Sequence, residues 1–523
     1  MIHTSPLPDV EIADQPLATY VLERAGELGD KPALIDGPTG RVVTFAQLDD
    51  QVRRLAGGLA ARGFGPGQVL ALMAPNVPEY AVVFLGVAMA GGTITTINPT
   101  YTDHEVHHQL TDAGASILVT VPMFLETARA GAEGTGVTEI FVLGDATDGA
   151  PSAAELFGEP LAEPVATGPD DVVVLPYSSG TTGLSKGVML TNRNLVANIA
   201  QVMVPAEIGE DDVIVAVLPF FHIYGMQVLM NTGLRAGATV VTMPRFDLEE
   251  FLRLHQQYGI TRSFVAPPIV VALAKHPIVD QYDLSHIKQV FSGAAPLSAE
   301  LAAEASARLG CEVVQGYGMT EMSPVSHLTP HGGFRPGSVG VTAPNTETRI
   351  VDPATGESLG IDADGEVWVR GPQVMKGYLN NDQATRDTLD DEGWLHTGDI
   401  GHIDADGHLY IVDRLKELIK YKGFQVPPAE LEAVLLTHPA VADAAVVGLP
   451  DEEAGEIPVA YVVLKEGQQV TGEDIQAFVA DEVAHYKQVR VVHLVDAVPK
   501  SASGKILRRV LRDQARAEAD AER

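Results

Sequence analysis

The sequence predicts an α/β protein with a large N-terminal domain and a small C-terminal one. Three observations carry that expectation. Apolar, β-branched runs alternate with amphipathic stretches over most of the chain, the pattern of strands joined by crossover helices. Short strands and turns crowd between Glu347 and Arg370, which suggests a smaller β-rich part. Around Asp413 the pattern changes, and the residues beyond it are enough for a small separate domain. A chain of 523 residues also exceeds what one hydrophobic core sustains, so at least two domains are expected.

Taken in order, Leu48, Val52, Leu55 and Leu59 fall on one face of a helix for which Thr44 is the N-cap. Residues 68–73 read as a strand, Pro78 opens a helix that Gly91 and Gly92 end, and 93–97 is β-branched. Thr102 and Glu105 form a capping-box pattern for a further helix, with a strand after it at 116–121. His104, His107 and His108 share that helix at a metal-pair spacing, but no carboxylate or cysteine pattern completes a site, and an exposed face is expected. Residues 144–168, rich in Ala, Gly, Pro and acidic groups, read as a surface connection. Then come a strand at 171–176, a helix from Asn192, a strand at 213–218 and a second α/β unit over 251–309. The C-terminal part offers strands at 442–447, 458–464 and 490–495, a helix from Thr471 and a basic helix after Lys505.

Between the strand at 171–176 and Val188 the chain concentrates small residues, hydroxyls and one cation. Gly180, Gly183 and Gly187 let backbone N–H groups converge on an anion. Ser178, Ser179, Thr181, Thr182 and Ser185 add hydroxyl donors, and Lys186 adds charge. This is a phosphate-holding composition on a strand end. It is not the G-x-x-x-x-G-K-[ST] loop, because Ser185 precedes Lys186 and Gly187 comes after it.

A formal charge of -34 argues against non-specific nucleic-acid binding and anionic membranes, so anionic ligands need local positive pockets. The single cysteine, Cys311, excludes an internal disulfide and a cysteine-rich zinc site, and is expected to pack. With no secretory signal, bilayer-length apolar run or Ser-Lys-Leu tail in view, a cytoplasmic location is expected.

The blocks 177–188, 218–225, 315–321, 365–371, 395–399, 413–432 and 499–509 stand together in an order that identifies a resemblance. The chain resembles the acyl-adenylate-forming superfamily of acyl-CoA synthetases, luciferases and peptide-synthetase adenylation domains over nearly its whole length. Within it, the loop, the His222-Ile-Tyr224 run and the stretch from Lys416 to Gln425 are most similar to 4-coumarate:CoA ligases. The resemblance implies a multi-part N-terminal domain (1–413) with two mixed αβ sheets and a small β-barrel-like part. It also implies a small mobile α+β domain (414–523) hinged near Lys416. It further implies two half-reactions: a carboxylate attacks the α-phosphate of ATP, and the thiol of coenzyme A then displaces AMP.

Carried over position by position, the resemblance assigns roles. Ser178, Ser179, Gly180, Thr181, Thr182, Gly183 and Lys186 would hold the β- and γ-phosphates. Ala295, Gln315, Gly316, Tyr317, Thr320, Asp399, Arg414 and Lys416 would complete the nucleotide site, with Glu321 placing Mg²⁺. Lys505 would bridge carboxylate and phosphate in adenylation; Lys420 and Gln425 would replace it in thioester formation. Arg245, Lys422 and Gly423 are coenzyme A contacts, and His222 is a gate or proton-handling residue. The acyl pocket would be lined by Ile223, Tyr224, Val228, Phe291, Ala294, Gly316, Gly318, Pro324 and Val325, with the Tyr224 hydroxyl within reach of a phenol. Trp368 stands where the plant ligases carry a small residue and is expected in the core.

The expected substrates are a hydroxycinnamic or related aromatic acid, ATP and coenzyme A, handled by a monomer or homodimer. A medium- or long-chain fatty acid ligase and a non-enzymatic nucleotide-binding module are the alternatives.

Overall fold

The computed structural model describes residues 1–178, 185–422, 424–451, 453–501 and 504–521, and four sheets organise them. In the first, Val69–Met73, Thr93–Thr96, Ala115–Thr120, Glu139–Val142 and Val172–Ser178 run parallel. Lys186–Thr191 and Gly377–Tyr378 extend one edge antiparallel. In the second, Glu312–Gly318, Gln289–Ser292, Arg262–Val265, Val213–Ala216, Thr239–Thr242 and Pro32–Asp36 are parallel, with antiparallel strands at both edges. Both sheets are therefore mixed, and their parallel strands are the continuous apolar runs of the sequence, as burial on two faces requires.

The helix Pro78–Met89 shows why the two sheets form one body. It packs against strands of both, and every residue from Tyr80 to Met89 is buried. That explains its apolar character all round. Against it lies Phe45–Ala61, whose Thr44 cap closes a full capping box with Gln47; Thr102 and Glu105 do the same for Asp103–Ala113.

The third sheet joins Ile2–Thr4, Glu347–Val351, Gly365–Arg370, Leu395–Ile403 and Leu409–Arg414, all antiparallel. Its two edge strands do not pair with each other among the described residues, so this part is an open sheet rather than a closed barrel. Strand alternation also corrects the expectation for Trp368. Val367 and Val369 point into the core, and Trp368 lies half-exposed on the opposite face. There it stacks on His396 at 3.6 Å, under the Arg349 guanidinium, with its Nε1–H donating to Glu366.

The small C-terminal domain has its own sheet, a hairpin of Val441–Asp451 and Gly455–Leu464 flanked by Ile419–Tyr421, Phe424–Val426 and Val491–Leu494. Its hydrophobic clusters begin at Ile419 and Ala445, whereas the buried members of the main cluster end at Leu409. His104 and His107 are exposed, and no group of metal-ligating side chains forms among the described residues. No helix among them is long and apolar enough to cross a membrane.

Candidate active site

The residues expected to hold phosphate lie where the first sheet meets the second. Val172–Ser178 returns antiparallel as Lys186–Thr191, which sets Lys186 opposite Ser178. The loop candidates Ser179, Gly180, Thr181, Thr182 and Gly183 lie outside the described residues, as does Gly423. From the second sheet, Glu312–Gly318 ends and a short turn Thr320–Met322 presents Thr320 and Glu321. The Glu321 carboxylate is buried, and its Oε1 accepts from Ser178 Oγ at 2.9 Å and from the Tyr378 hydroxyl at 2.8 Å. Its Oε2 accepts nothing among the described residues. A carboxylate oxygen left open suits a hard divalent cation, which takes one or two carboxylates and keeps its remaining positions for phosphate oxygens and water.

The residues expected to meet the ribose lie on the third sheet. Asp399 pairs across the ladder with Arg414, whose Nε stands 3.2 Å from Oδ1, and accepts from the Tyr317 hydroxyl at 2.6 Å. Burial, then the Asp399 charge, pushes the Tyr317 phenol up, so it stays a donor. Gln315 is committed to structure on one side: its Oε1 accepts from Leu297 N–H at 3.1 Å and holds the turn that carries Ala294 and Ala295.

Of the residues expected to line the acyl pocket, Ile223, Tyr224, Val228, Phe291, Pro324 and Val325 are buried and apolar apart from one hydroxyl. Tyr224 opens a π-helical stretch, Tyr224–Asn231, and its hydroxyl donates to the Phe291 carbonyl at 3.3 Å. Its proton is thus engaged, and it can meet a phenol only as an acceptor. Gly318 is exposed; a side chain there would meet the Pro324 carbonyl oxygen at 2.1 Å, so strand packing itself demands glycine. Ala294, also exposed, has φ +72°. His222 Nδ1 accepts from Tyr224 N–H at 3.3 Å, which leaves the ring proton of the neutral imidazole on Nε2. Burial, and secondarily the Lys505 charge, pushes His222 down to about 4.

Lys505 comes from the other domain. Ser501 N–H donates to the Lys505 carbonyl at 2.8 Å, and Lys505 N–H to Ser501 Oγ at 3.2 Å, closing a turn around Gly504. Gly504 has φ +83°, and a Cβ there would stand 3.1 Å from the Ala266 Cβ of the large domain. The ammonium is pushed down to about 8, by burial first and then by Arg414, against the pull of Asp399 and Glu417. It therefore feels Arg414 and Asp399 and is felt by His222.

Other sequence candidates are not gathered here. Lys416, Lys420, Lys422 and Arg245 are exposed. Lys420 pairs with Gln425 across a hairpin, its N–H donating to Glu456 at 2.8 Å, and Lys422 lies 5.8 Å from the ring of its neighbour Tyr421. Two residues escaped sequence reasoning. Tyr378 sits beyond the 365–371 block with only an adjacent Lys376-Gly377 to mark it, and Glu417 stands next to Lys416 without a motif role of its own.

The site thus joins polar groups of two sheets to a buried apolar cluster, beside a lysine lent by a second domain, an arrangement that suits an enzyme that activates an acid on a nucleotide. The chain belongs to the AMP-binding enzyme family: the family's profile matches residues 21–379, and that of the AMP-binding enzyme C-terminal domain matches 430–505. It is 48% identical to 4-coumarate--CoA ligase 3 of Oryza sativa subsp. japonica, covering 98% of this chain and 94% of that protein. It is 46% identical to 4-coumarate--CoA ligase 1 of Petroselinum crispum, covering 98% and 96%. Among solved structures it is similar to an anthranilate CoA ligase in complex with anthranoyl-AMP, with TM-score 0.90 and 26% identity over 98% of this chain and 99% of that one.

Proposed function

We propose that this enzyme is an AMP-forming acid:CoA ligase whose acid is 4-coumarate or a related hydroxycinnamic or aromatic carboxylate. One observation carries the reading. The turn of the C-terminal domain that carries Lys505 packs on the large domain, with Gly504 against Ala266, and there the Lys505 charge acts on His222 while Arg414 and Asp399 act on it. An ammonium between a ribose-binding carboxylate and an acyl pocket lies where charge builds when a carboxylate attacks an α-phosphate.

In the first half-reaction the acid oxygen bonds to the α-phosphorus while the bond to pyrophosphate breaks. Lys505, charged at neutral pH, draws the two anions together. Ser178, Lys186 and the hydroxyl-rich loop hold the departing phosphates, Thr320 lies at the α-phosphate, and Asp399 accepts from the ribose. Glu321 would hold Mg²⁺ through Oε2, and the ion would supply charge neutralisation of the triphosphate. His222, neutral with its proton on Nε2, acts as gate and donor rather than base.

In the second half-reaction the thiol of coenzyme A attacks the acyl carbon and AMP leaves. We divide the chain at 413/414 and place the hinge at Lys416; the separate hydrophobic clusters on either side support this. Rotation there withdraws Lys505 and brings in Lys420 and Gln425, with Lys422 and Arg245 toward coenzyme A. The apolar pocket with Tyr224 and Phe291, the names of the relatives and the anthranilate ligase neighbour support an aromatic acid. We place the enzyme in the cytoplasm as a monomer or homodimer.

The test is a panel of 4-coumarate, cinnamate, caffeate and a medium-chain fatty acid, scored by coenzyme A thioester and pyrophosphate. Thioester from the aromatic acids is expected. Preference for the fatty acid removes the substrate assignment, and no acid-dependent pyrophosphate removes the ligase.

A further inference from the structure

The two oxygens of Glu321 are in unlike circumstances. Ser178 and Tyr378 both donate to Oε1, whereas Oε2 accepts no hydrogen bond among the described residues. The Tyr378 ring also lies beneath Lys186, whose Nζ stands 4.3 Å from the ring centroid, a cation–π contact. One buried side chain therefore touches both the carboxylate and the cation of the phosphate end.

The backbone fixes that side chain from several directions. Tyr378 pairs with Val188 at the edge of the first sheet, one strand residue away from the Lys186–Gly187 start. Its N–H donates to Thr385 Oγ1 at 2.9 Å, and Met375 N–H donates to the Glu321 carbonyl at 2.9 Å. The segment 375–378 thus straps the acidic turn to the basic strand. Without such a strap, a lysine and a glutamate facing one ligand are drawn together, and each then spends its charge on the other.

We propose that Tyr378 is a positioning residue for the metal–triphosphate pair: its hydroxyl pins Glu321 through Oε1 so that Oε2 stays open to a divalent cation, and its ring keeps Lys186 beside that carboxylate yet free for phosphate. The proposal rests on the ATP-dependent function.

Tyr378→Phe keeps the ring and deletes the donor; Tyr378→Leu deletes both. The full chain is titrated calorimetrically with ATP, once with excess Mg²⁺ and once with EDTA, beside a thermal melt of each variant. Tyr378→Phe is expected to weaken Mg·ATP binding about ten-fold, the usual scale for a lost hydrogen bond to a charged group, with a much smaller loss in EDTA. Tyr378→Leu is expected to weaken both. No loss, or an equal loss in the two conditions for Tyr378→Phe, overturns the proposal. If the Phe variant does not fold, 4-fluorophenylalanine at position 378, which likewise keeps the ring and removes the donor, takes its place, and an equal loss in the two conditions again overturns the proposal. Wild-type chain that binds Mg·ATP but activates no acid counts against the ligase reading alone; wild-type ATP binding that Mg²⁺ does not strengthen overturns the role of Tyr378.

Discussion

Gly504 lies against Ala266 so closely that a Cβ added to Gly504 would stand 3.1 Å from the Cβ of Ala266. The contact joins the turn that delivers Lys505 to the first residues of the large domain's Pro267–Lys275 helix. The Gly504 φ of +83° adds a second constraint, since a left-handed backbone costs a non-glycine residue about 1–2 kcal/mol. Gly504→Ala should therefore slow adenylation by about five- to thirty-fold. Thioester formation from presynthesised acyl-adenylate, which uses the rotated domain, should change little. Rapid-quench assays of the separate half-reactions check this, and equal slowing of both would count against the proposed rotation.

Lys505→Ala should lose adenylation by about 10²- to 10³-fold, the scale of one charge-stabilising donor. Lys420→Ala and Gln425→Ala should instead impair thioester formation. Three variants that lose both half-reactions equally would sink the division of labour between the two faces of the small domain.

The pH dependence comes from the ammonium. A lysine pushed down to about 8 is charged below that pH and neutral above it, so kcat/KM for adenylation should fall about ten-fold per pH unit above 8. His222, pushed down to about 4, gives no break between 5 and 8. Because Arg414 is the charge that most depresses Lys505, Arg414→Gln should move the alkaline break upward. A break that stays in place would show that another group titrates.

Tyr317→Phe deletes the 2.6 Å bond to Asp399 and leaves that carboxylate with Arg414 alone. ATP affinity should fall about ten-fold, the lower end for a charged hydrogen bond because Arg414 still orients the acceptor. Equilibrium titration with ATP measures it directly, and unaltered affinity would show that Asp399 is held by Arg414 without help.

What the sequence disclosed and what it hid divide along sequence distance. Thr44 with Gln47 and Thr102 with Glu105 were readable because a capping box is contained within four residues. The glycine- and hydroxyl-rich composition before Lys186 was readable for the same reason. Tyr378 was not, because its partners Lys186 and Glu321 come from a strand and a turn that only the folded sheets bring together. Trp368 misled because a large aromatic usually goes inside; here the alternation of Val367 and Val369 claimed the inner face. The expected barrel-like part depended on whether two edge strands meet, which no local pattern records.

The gap between the last buried residue of the large hydrophobic cluster, Leu409, and the first of the small one, Ile419, bears on the turnover rate. On the proposed hinge, a swivel in that gap leaves each hydrophobic cluster with its own domain, so turning opens neither core. What the proposed turn must break is then the close fit of Gly504 on Ala266 and the charge field of Arg414 around Lys505. Such a joint should respond to dissolved salt more than to temperature, and its free motion should be set by which nucleotide fragment sits beneath it.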